Sequence, residues 1–322
     1  MGIRVAFIGA GGIAGYHLGH LEKIEDVELA AFCDVVPEKA KARAKQYKAK
    51  AYTDHRKMLD AIKPDAVYVC TPPFAHGAFE LDVVGRGCAL FVEKPIATSM
   101  ETALEIRDAV KTAGVVSAAG YQDRYQDIIA TLQKMLGKRK TATAMGYWMG
   151  GMPGVAWWRV KAQSGGQHTE QTTHIFDMFR YLFGEVASVF AAGSTGLMTD
   201  VPNYDVEDLS VATLTFKSGM IGTVYSACCL KSGGKCGIDI FCTDCRFEYI
   251  ERRSVTLREA SRTEEFMNVA DYGQAIDDAF ITAVRTKGET NKVLSPYADA
   301  CKSLALSLAT DRSMATGKLI EL

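Results

Sequence analysis

Ile3-Arg4-Val5-Ala6-Phe7-Ile8-Gly9-Ala10-Gly11-Gly12-Ile13-Ala14 decides how the rest of the chain is read. The apolar run Val5 to Ile8 is long enough for a buried strand, and it enters a G-x-G-x-x-A turn, Gly9 to Ala14. Gly9 permits the tight turn off the strand, Gly11 lets the backbone approach a pyrophosphate, and Ala14 lets the next helix pack close to the sheet. The helix N-terminus then offers N–H groups and a positive dipole end to phosphates. Any glycine-rich strand-to-helix turn would satisfy this pattern alone, so its surroundings matter. A second strand, Glu28 to Cys33, ends at Asp34, about twenty residues past the glycines, where a carboxylate accepts hydrogen bonds from an adenosine ribose. Val35, Val36, Pro37 and Glu38 follow, with no basic residue before Lys39. A 2′-phosphate would meet an acid and no adjacent base, so the expected cofactor is NAD rather than NADP.

The chain has 322 residues, enough for one large or two moderate domains. Its hydrophobic fraction of 48% and charged fraction of 23% are those of an ordinary globular protein. A formal net charge of -1 gives no electrostatic case for nucleic acid or an anionic membrane surface. No apolar run reaches about eighteen residues, so no membrane span is expected. The first strand starts almost at once and leaves no room for a signal peptide. Of nine cysteines, Cys33, Cys70 and Cys88 lie in or beside apolar runs as small hydrophobes, and a reducing cytoplasmic setting is expected. The one C-x-x-C, Cys242 to Cys245, spans a turn between two strand candidates. It has no second pair and no neighbouring histidine, so no metal is expected.

Strands and helices alternate through the first part of the chain. Helical stretches at Gly12–Leu21, Pro37–Gln46, Asp54–Ala61, His76–Arg86 and Met100–Ala113 separate strands near Tyr52 and at Asp65–Cys70, Ala89–Val92 and Val115–Ala119. That alternation predicts a parallel sheet covered on both faces, a dinucleotide-binding Rossmann domain over 1–121. The pattern changes after Tyr121. Helix Gln126–Met135, strand Thr141–Tyr147 and a helical segment Gln167–Phe183 lead into consecutive strand candidates from Ala187 to Leu257, with Ser218-Gly219 as a hairpin turn. Helices at Asp271–Val284 and Ala298–Ala315 close the chain. The second domain, 122–322, is therefore expected to be α/β with a broad, mostly antiparallel sheet.

The chemistry candidates fall at strand ends and at the start of the Gln167 segment. Glu93-Lys94-Pro95 follows a strand, which places Lys94 near the nicotinamide end of a dinucleotide, where an ammonium can bind a substrate hydroxyl or stabilise developing negative charge. Glu170 and His174 are four apart and share a face if the segment is one helix. A carboxylate and an imidazole together can bind a polyol and move its hydroxyl proton near neutral pH. Trp157-Trp158-Arg159 lies in a loop; it suits either the floor of a sugar pocket or a lid or subunit contact. Tyr121 and Arg124 are explained equally by binding or by packing with a salt bridge, Asp177 by substrate binding or by orienting its helix, and His168 is an alternative imidazole.

These residues, in this order, resemble the glucose-fructose oxidoreductase, inositol dehydrogenase and rhizopine-catabolism family, Gfo/Idh/MocA. The resemblance rests on the glycine motif, Thr71-Pro72 with His76, Glu93-Lys94-Pro95, Gly120-Tyr121 with Arg124, and the segment Ser164 to Asp177, SGGQHTEQTTHIFD. It implies reversible oxidation of a hydroxyl on a sugar, a sugar derivative or a cyclitol, and assembly as a homodimer or homotetramer through the second-domain sheet. It implies that Lys94 and His174 are catalytic. Glu170, Asp177, Tyr121, Arg124, Trp158 and Arg159 are the substrate-binding candidates. Gly9, Gly11, Gly12, Ile13, Asp34, Thr71, Pro72, His76, Glu93 and Lys94 form the cofactor-binding set. Glu170 departs from the family's usual aspartate by one methylene. The same resemblance includes NAD-dependent glycosidases acting by transient oxidation and elimination; a non-catalytic dinucleotide-binding sensor is a third class, against which Lys94 and His174 argue.

Overall fold

A computed structural model describes residues 2–322. Chain contacts divide it into two compact units, residues 1–122 with 271–301, and residues 123–270 with 302–322.

The first unit alternates β1 (Ile3–Ile8), α1 (Gly12–Leu21), β2 (Val27–Cys33), α2 (Pro37–Tyr47), β3 (Lys50–Tyr52), α3 (His55–Ile62), β4 (Ala66–Val69), α4 (Ala78–Val84), β5 (Ala89–Val92), α5 (Met100–Ala113) and β6 (Ser117–Ala119). The six strands form one parallel sheet in the order β3-β2-β1-β4-β5-β6. Its strands are apolar runs because helices cover both faces. The register sets an aromatic row across four strands. Phe32 lies beside Phe7, Phe7 beside Tyr68, and Tyr68 beside Phe91. Ring centroids are 5.6, 5.0 and 4.5 Å apart along that row.

In the second unit α6 (Asp127–Leu136), β7 (Thr141–Met149), α7 (Lys161–Ser164), α8 (Gln167–Glu170) and α9 (Thr173–Phe183) precede a run of strands. These are β8 (Val186–Ser194), β9 (Leu209–Phe216), β10 (Ile221–Ala227), β11 (Lys235–Cys242), β12 (Arg246–Ile250), β13 (Ser254–Arg258) and β14 (Thr263–Met267). Helix α10 (Tyr272–Arg285) and the start of α11 (Tyr297–Thr316) group with the first unit, and the rest of α11 and β15 (Ile320–Glu321) with the second. The nine-stranded sheet runs β14-β13-β12-β11-β7-β10-β9-β8-β15, and only β7 and β10 pair in parallel. Alternate residues of β9 and β10, including Ala212, Leu214, Phe216 and Val224, are buried in a core with Ile175 and Phe179 of α9 and Leu306 of α11. Val211, Thr213, Thr223 and Tyr225 occupy the other face and are half-exposed.

Three features differ from the sequence reading. Residues 271–301 group with the first unit, although the sequence reading assigned everything after 121 to a second domain. Phe280 of α10 meets the aromatic row edge-on, 5.5 Å from both Tyr68 and Phe91, and this apolar docking holds the helix there. The segment 167–183 is two helices, because Gln171 and Thr172 interrupt it and both backbone N–H groups bond to Gln167 O at 2.9 Å. Strand β14, TEEFM, was not anticipated; its polar sequence lacks the apolar pattern of a half-buried strand, and pairing with β13 at the sheet edge forms it. Among the described residues no helix is long and apolar enough to cross a membrane.

Candidate active site

Gly9 has φ +91°, and a Cβ there would lie 2.3 Å from Cys70 O, so the turn off β1 admits no larger side chain. Asp34 braces the same turn. Its Oδ2 accepts from Ala10 N at 2.8 Å and its Oδ1 from Val36 N at 2.9 Å. A carboxylate has about four acceptor positions, so each oxygen can still take a ribose hydroxyl. The N-terminus of α1 has no side-chain cap. A Cβ at Gly11 or Gly12 would meet nothing within 4 Å, which leaves this backbone open to a close ligand. Ile13 beside it is an exposed apolar side chain.

At the end of β4 the residues are poised rather than satisfied. Thr71 Oγ1 and His76 Nε2 are buried without hydrogen-bond partners. Pro72 leads into a short 3-10 turn, Pro73–Ala75. His76 Nδ1 bonds to Glu80 Oε1 at 2.5 Å, and Glu80 Oε2 accepts from Gly77 N at 2.6 Å. Orphaned buried polar atoms at this strand end, an open glycine turn and an uncapped helix fit a dinucleotide. Arg43 of α2 also reaches the turn, donating to Gly11 O at 3.3 Å. Reading only the residues next to Asp34 does not find it.

The Glu93-Lys94 turn is fixed from below. Glu93 Oε2 accepts from Lys94 N at 3.1 Å, and Glu93 Oε1 receives His17 Nε2 at 2.9 Å. A Cβ on Gly120 would lie 2.5 Å from Glu93 Oε1, so the small residue makes room for this carboxylate. His17 Nδ1 in turn meets Asp277 Oδ1 at 2.8 Å, and Asp277 also takes His20 Nδ1 at 2.9 Å and the Tyr68 hydroxyl at 3.1 Å. The sequence reading missed this network; its segments are far apart in the chain. Burial alone would lower the His17 pKa. The Asp277 and Glu93 carboxylates outweigh it and raise the value from 6.5 to about 10, so His17 is an imidazolium at neutral pH. His17, His20 and Asp277 have metal-type donor atoms within 4.8 Å of one another, but direct imidazole–carboxylate bonds already span those distances.

In the second unit, His174 lies near the start of α9, with its ring stacked on Trp148 of β7 at 5.5 Å and 16°. Asp123 Oδ2 is 3.4 Å from its Nδ1. Glu170 Oε2 accepts from Trp158 Nε1 at 2.7 Å. The kink at Gln171 means that Glu170 and His174 do not sit on one continuous helix face. Trp158 is fully buried in the 3-10 turn Ala156–Arg159, where it orients Glu170 and exposes no ring face. Arg159 Nε and the side-chain oxygens of Gln167 and Gln171 are buried without partners. The two glutamines are hydroxyl-binding candidates that sequence reasoning passed over. Arg124 and Asp177 are both buried and pair with each other, by Nε and a terminal nitrogen at 2.8 and 2.5 Å. Ser303 Oγ adds a bond to Asp177 Oδ1 at 2.6 Å. Tyr121, in the first unit, is buried. His168 has both nitrogens engaged, by Asp311 at 3.2 Å and Ser210 at 2.7 Å.

These features define a Rossmann-type oxidoreductase followed by a sheet domain, and comparison with known proteins agrees. Residues 3–121 match the oxidoreductase-family model with an NAD-binding Rossmann fold, and residues 132–248 match the GFO/IDH/MocA C-terminal domain. The chain is 32% identical over 242 residues to D-glucoside 3-dehydrogenase of Escherichia coli (strain K12), which covers 68% of this chain and 68% of that protein. It is 29% identical over 233 residues to myo-inositol 2-dehydrogenase of Thermotoga maritima, covering 69% of this chain and 67% of that protein. A levoglucosan dehydrogenase in complex with NADH shares the fold at TM-score 0.87 and 19% identity, over 100% of this chain and 99% of that one. The chain belongs to the Gfo/Idh/MocA family of oxidoreductases, and its first domain is the NAD-binding one.

The His17 network makes stability pH-dependent. A folded-state pKa above the ordinary value stabilises fully below about pH 6.5, and this contribution is lost as pH rises through about 10. The melting-temperature advantage of wild type over His17→Gln is therefore expected to be largest at pH 6 and to shrink by pH 10.5. An advantage constant across that range would refute the buried imidazolium.

Proposed function

We propose that this chain is an NAD-dependent dehydrogenase of a ring hydroxyl on a sugar, a sugar derivative or a cyclitol, working in the cytoplasm. The observation that carries the reading is family membership with a sugar-oxidising relative, in a chain that retains both Lys94 and His174. Bound NAD supplies the hydride acceptor. Gly9, Gly11, Gly12 and Ile13 receive the pyrophosphate side, Asp34 the adenosine ribose, and Thr71, Pro72, His76 and Glu93 the nicotinamide side. The Lys94 ammonium stabilises the oxygen on which charge develops. His174 takes the hydroxyl proton as general base. Glu170, oriented by Trp158, accepts from a neighbouring substrate hydroxyl, and Arg159 donates to another. In this reading the Arg124–Asp177 pair braces the second unit rather than touching substrate, and Tyr121, buried in the first unit, has a packing role there.

Three measurements test it. In calorimetric titrations NADH should bind at least about tenfold tighter than NADPH, equal to about 1.4 kcal/mol. Equal affinity would overturn the cofactor preference. Asp34→Ala should weaken NADH by removing ribose acceptors and loosening the glycine turn it braces.

For the chemistry, purified protein with NAD is offered aldoses, anhydrosugars, aminosugars, sugar acids and inositols, then aryl glycosides. NADH formation is expected with a free ring hydroxyl. Aglycone release without net NADH would replace the dehydrogenase by a glycosidase. Lys94→Ala and His174→Ala should each keep NADH binding and lose kcat on the order of 10²-fold or more. Near-wild-type turnover in both variants would sink the catalytic assignment.

The half-exposed sheet face carrying Val211, Thr213, Thr223 and Tyr225 suits the same face of a second copy, giving a homodimer or homotetramer. Light scattering at micromolar protein should return a multiple of 35.0 kDa, and a single 35.0 kDa species across a concentration series would reject assembly.

A further inference from the structure

Asp123 stands in the 3-10 turn Gln122–Tyr125. It is next to Arg124, and the two consecutive side chains face α9 at two places one turn apart. Arg124 takes Asp177, and Asp123 faces His174. The Asp123 and His174 side chains are only 6% and 4% exposed. Two long-range anchors hold the turn. Gln126 Nε2 donates to Asp123 O at 3.1 Å and to the Tyr249 hydroxyl at 2.8 Å. Arg252 grips both carboxylate oxygens, Nε donating to Asp123 Oδ1 at 2.7 Å and Nη2 to Oδ2 at 3.4 Å, and Oδ2 is the oxygen that faces the imidazole, 3.4 Å from His174 Nδ1. The Trp148 indole fixes the plane of that imidazole.

We propose that Asp123 is a positioning residue for His174: its carboxylate, held by Arg252, accepts the Nδ1 proton of the imidazole and so leaves Nε2 as the atom that takes the substrate proton. This rests on the reading of His174 as the general base. When Nε2 takes the hydroxyl proton, the ring becomes an imidazolium, and the Asp123 carboxylate stabilises its charge in a site with little water. The acid itself gains no proton.

Titratable and charged groups that face the pair include Arg252 and Glu251 from the loop after β12, Cys236 of β11 and Tyr249 of β12. Arg252 lies 3.4 Å from Glu251 Oε1. Burial, then the Asp123 carboxylate, pushes Glu251 up to about 7. The upward shift favours neutral Glu251, which leaves the Arg252 cation to Asp123.

The test needs no known substrate. The full chain has six histidines, so histidine-labelled protein gives a countable set of imidazole resonances, with His174 assigned through His174→Gln. Wild type should show neutral His174 protonated on Nδ1. Asp123→Asn should lower its proton affinity at least about tenfold, one pH unit, and release the tautomer preference. Arg252→Met, which keeps the acid and removes the cation, should shift the midpoint the other way. Once the panel yields a substrate, Asp123→Asn should lower kcat on the order of 10²-fold, with KM and the NADH dissociation constant within about threefold of wild type; Asp123→Glu should recover part of the loss. An unmoved midpoint and tautomer in a cooperatively melting Asp123→Asn would overturn the proposal. If that variant does not fold, an unmoved midpoint in Arg252→Met overturns it instead. A shifted midpoint combined with normal turnover of His174→Ala would leave the pair standing and reject the catalytic reading of His174.

Discussion

The first unit depends on one buried cation. The His17 imidazolium is 1% exposed, and both of its nitrogens meet carboxylates, Asp277 on one side and Glu93 on the other. Removing such a charge from water costs several kcal/mol unless its partners are placed correctly. Those partners come from segments 76 and 260 residues away. The helix that follows the glycine turn, the end of β5 and the returning helix α10 must therefore all be in place together. An apolar contact would tolerate a slide of one helix over another; three directed hydrogen bonds on Asp277 do not. One comes from Tyr68, a member of the aromatic row, so the network also ties α10 to the register of the sheet. The same constraint reaches the Glu93-Lys94 turn, because Glu93 binds His17 with one oxygen and the Lys94 backbone with the other.

The parts of the fold that were legible in the sequence are those that local rules decide. Helices Gly12–Leu21 and Met100–Ala113 and strand Ala89–Val92 have the limits that glycine, capping and apolar run length indicate. Ser99 caps the second of those helices through Thr102 N at 3.2 Å, and Gly114 closes it with φ +65°. What stayed hidden depends on partners far along the chain. Nothing near Tyr272–Arg285 announces that Phe280 belongs to an aromatic row laid down two hundred residues earlier, because an amphipathic helix shows only that it has an apolar face. The break after Glu170 had a local trace in the adjacent β-branched Thr172 and Thr173, poor helix formers. The Thr172 hydroxyl bonds to Ser226 Oγ at 2.9 Å, which takes the chain out of the regular helix there.

In the candidate site, residue types were more legible than partners. Arg124, Asp177 and Trp158 stood out as chemically capable, yet the structure engages them with protein groups. A guanidinium and a carboxylate this deeply buried are stable only as a hydrogen-bonded pair. An indole N–H inside the protein needs an acceptor for the same reason. Asp123 drew no notice, since an acid in a turn is ordinary on the page. Its meaning comes from Arg252, 129 residues later.

The glutamate at position 170 connects these points. Its carboxylate is engaged by the Trp158 indole, twelve residues back, at 2.7 Å. Trp158 is locked in a small core with Val206 and Cys228, so the donor cannot swing to follow a shorter acid. An aspartate there would have to recover about one methylene of reach or leave a buried indole N–H unpaired, at about 1–3 kcal/mol. The longer side chain is thus matched to a tryptophan that the packing has already fixed. The same packing turns Trp158 from a surface on which a sugar could stack into a support for an acid that could bind one. The loop Trp157-Trp158-Arg159 therefore sets the direction in which Glu170 is held, and under the proposed function a change of ring preference would begin with that hydrogen bond.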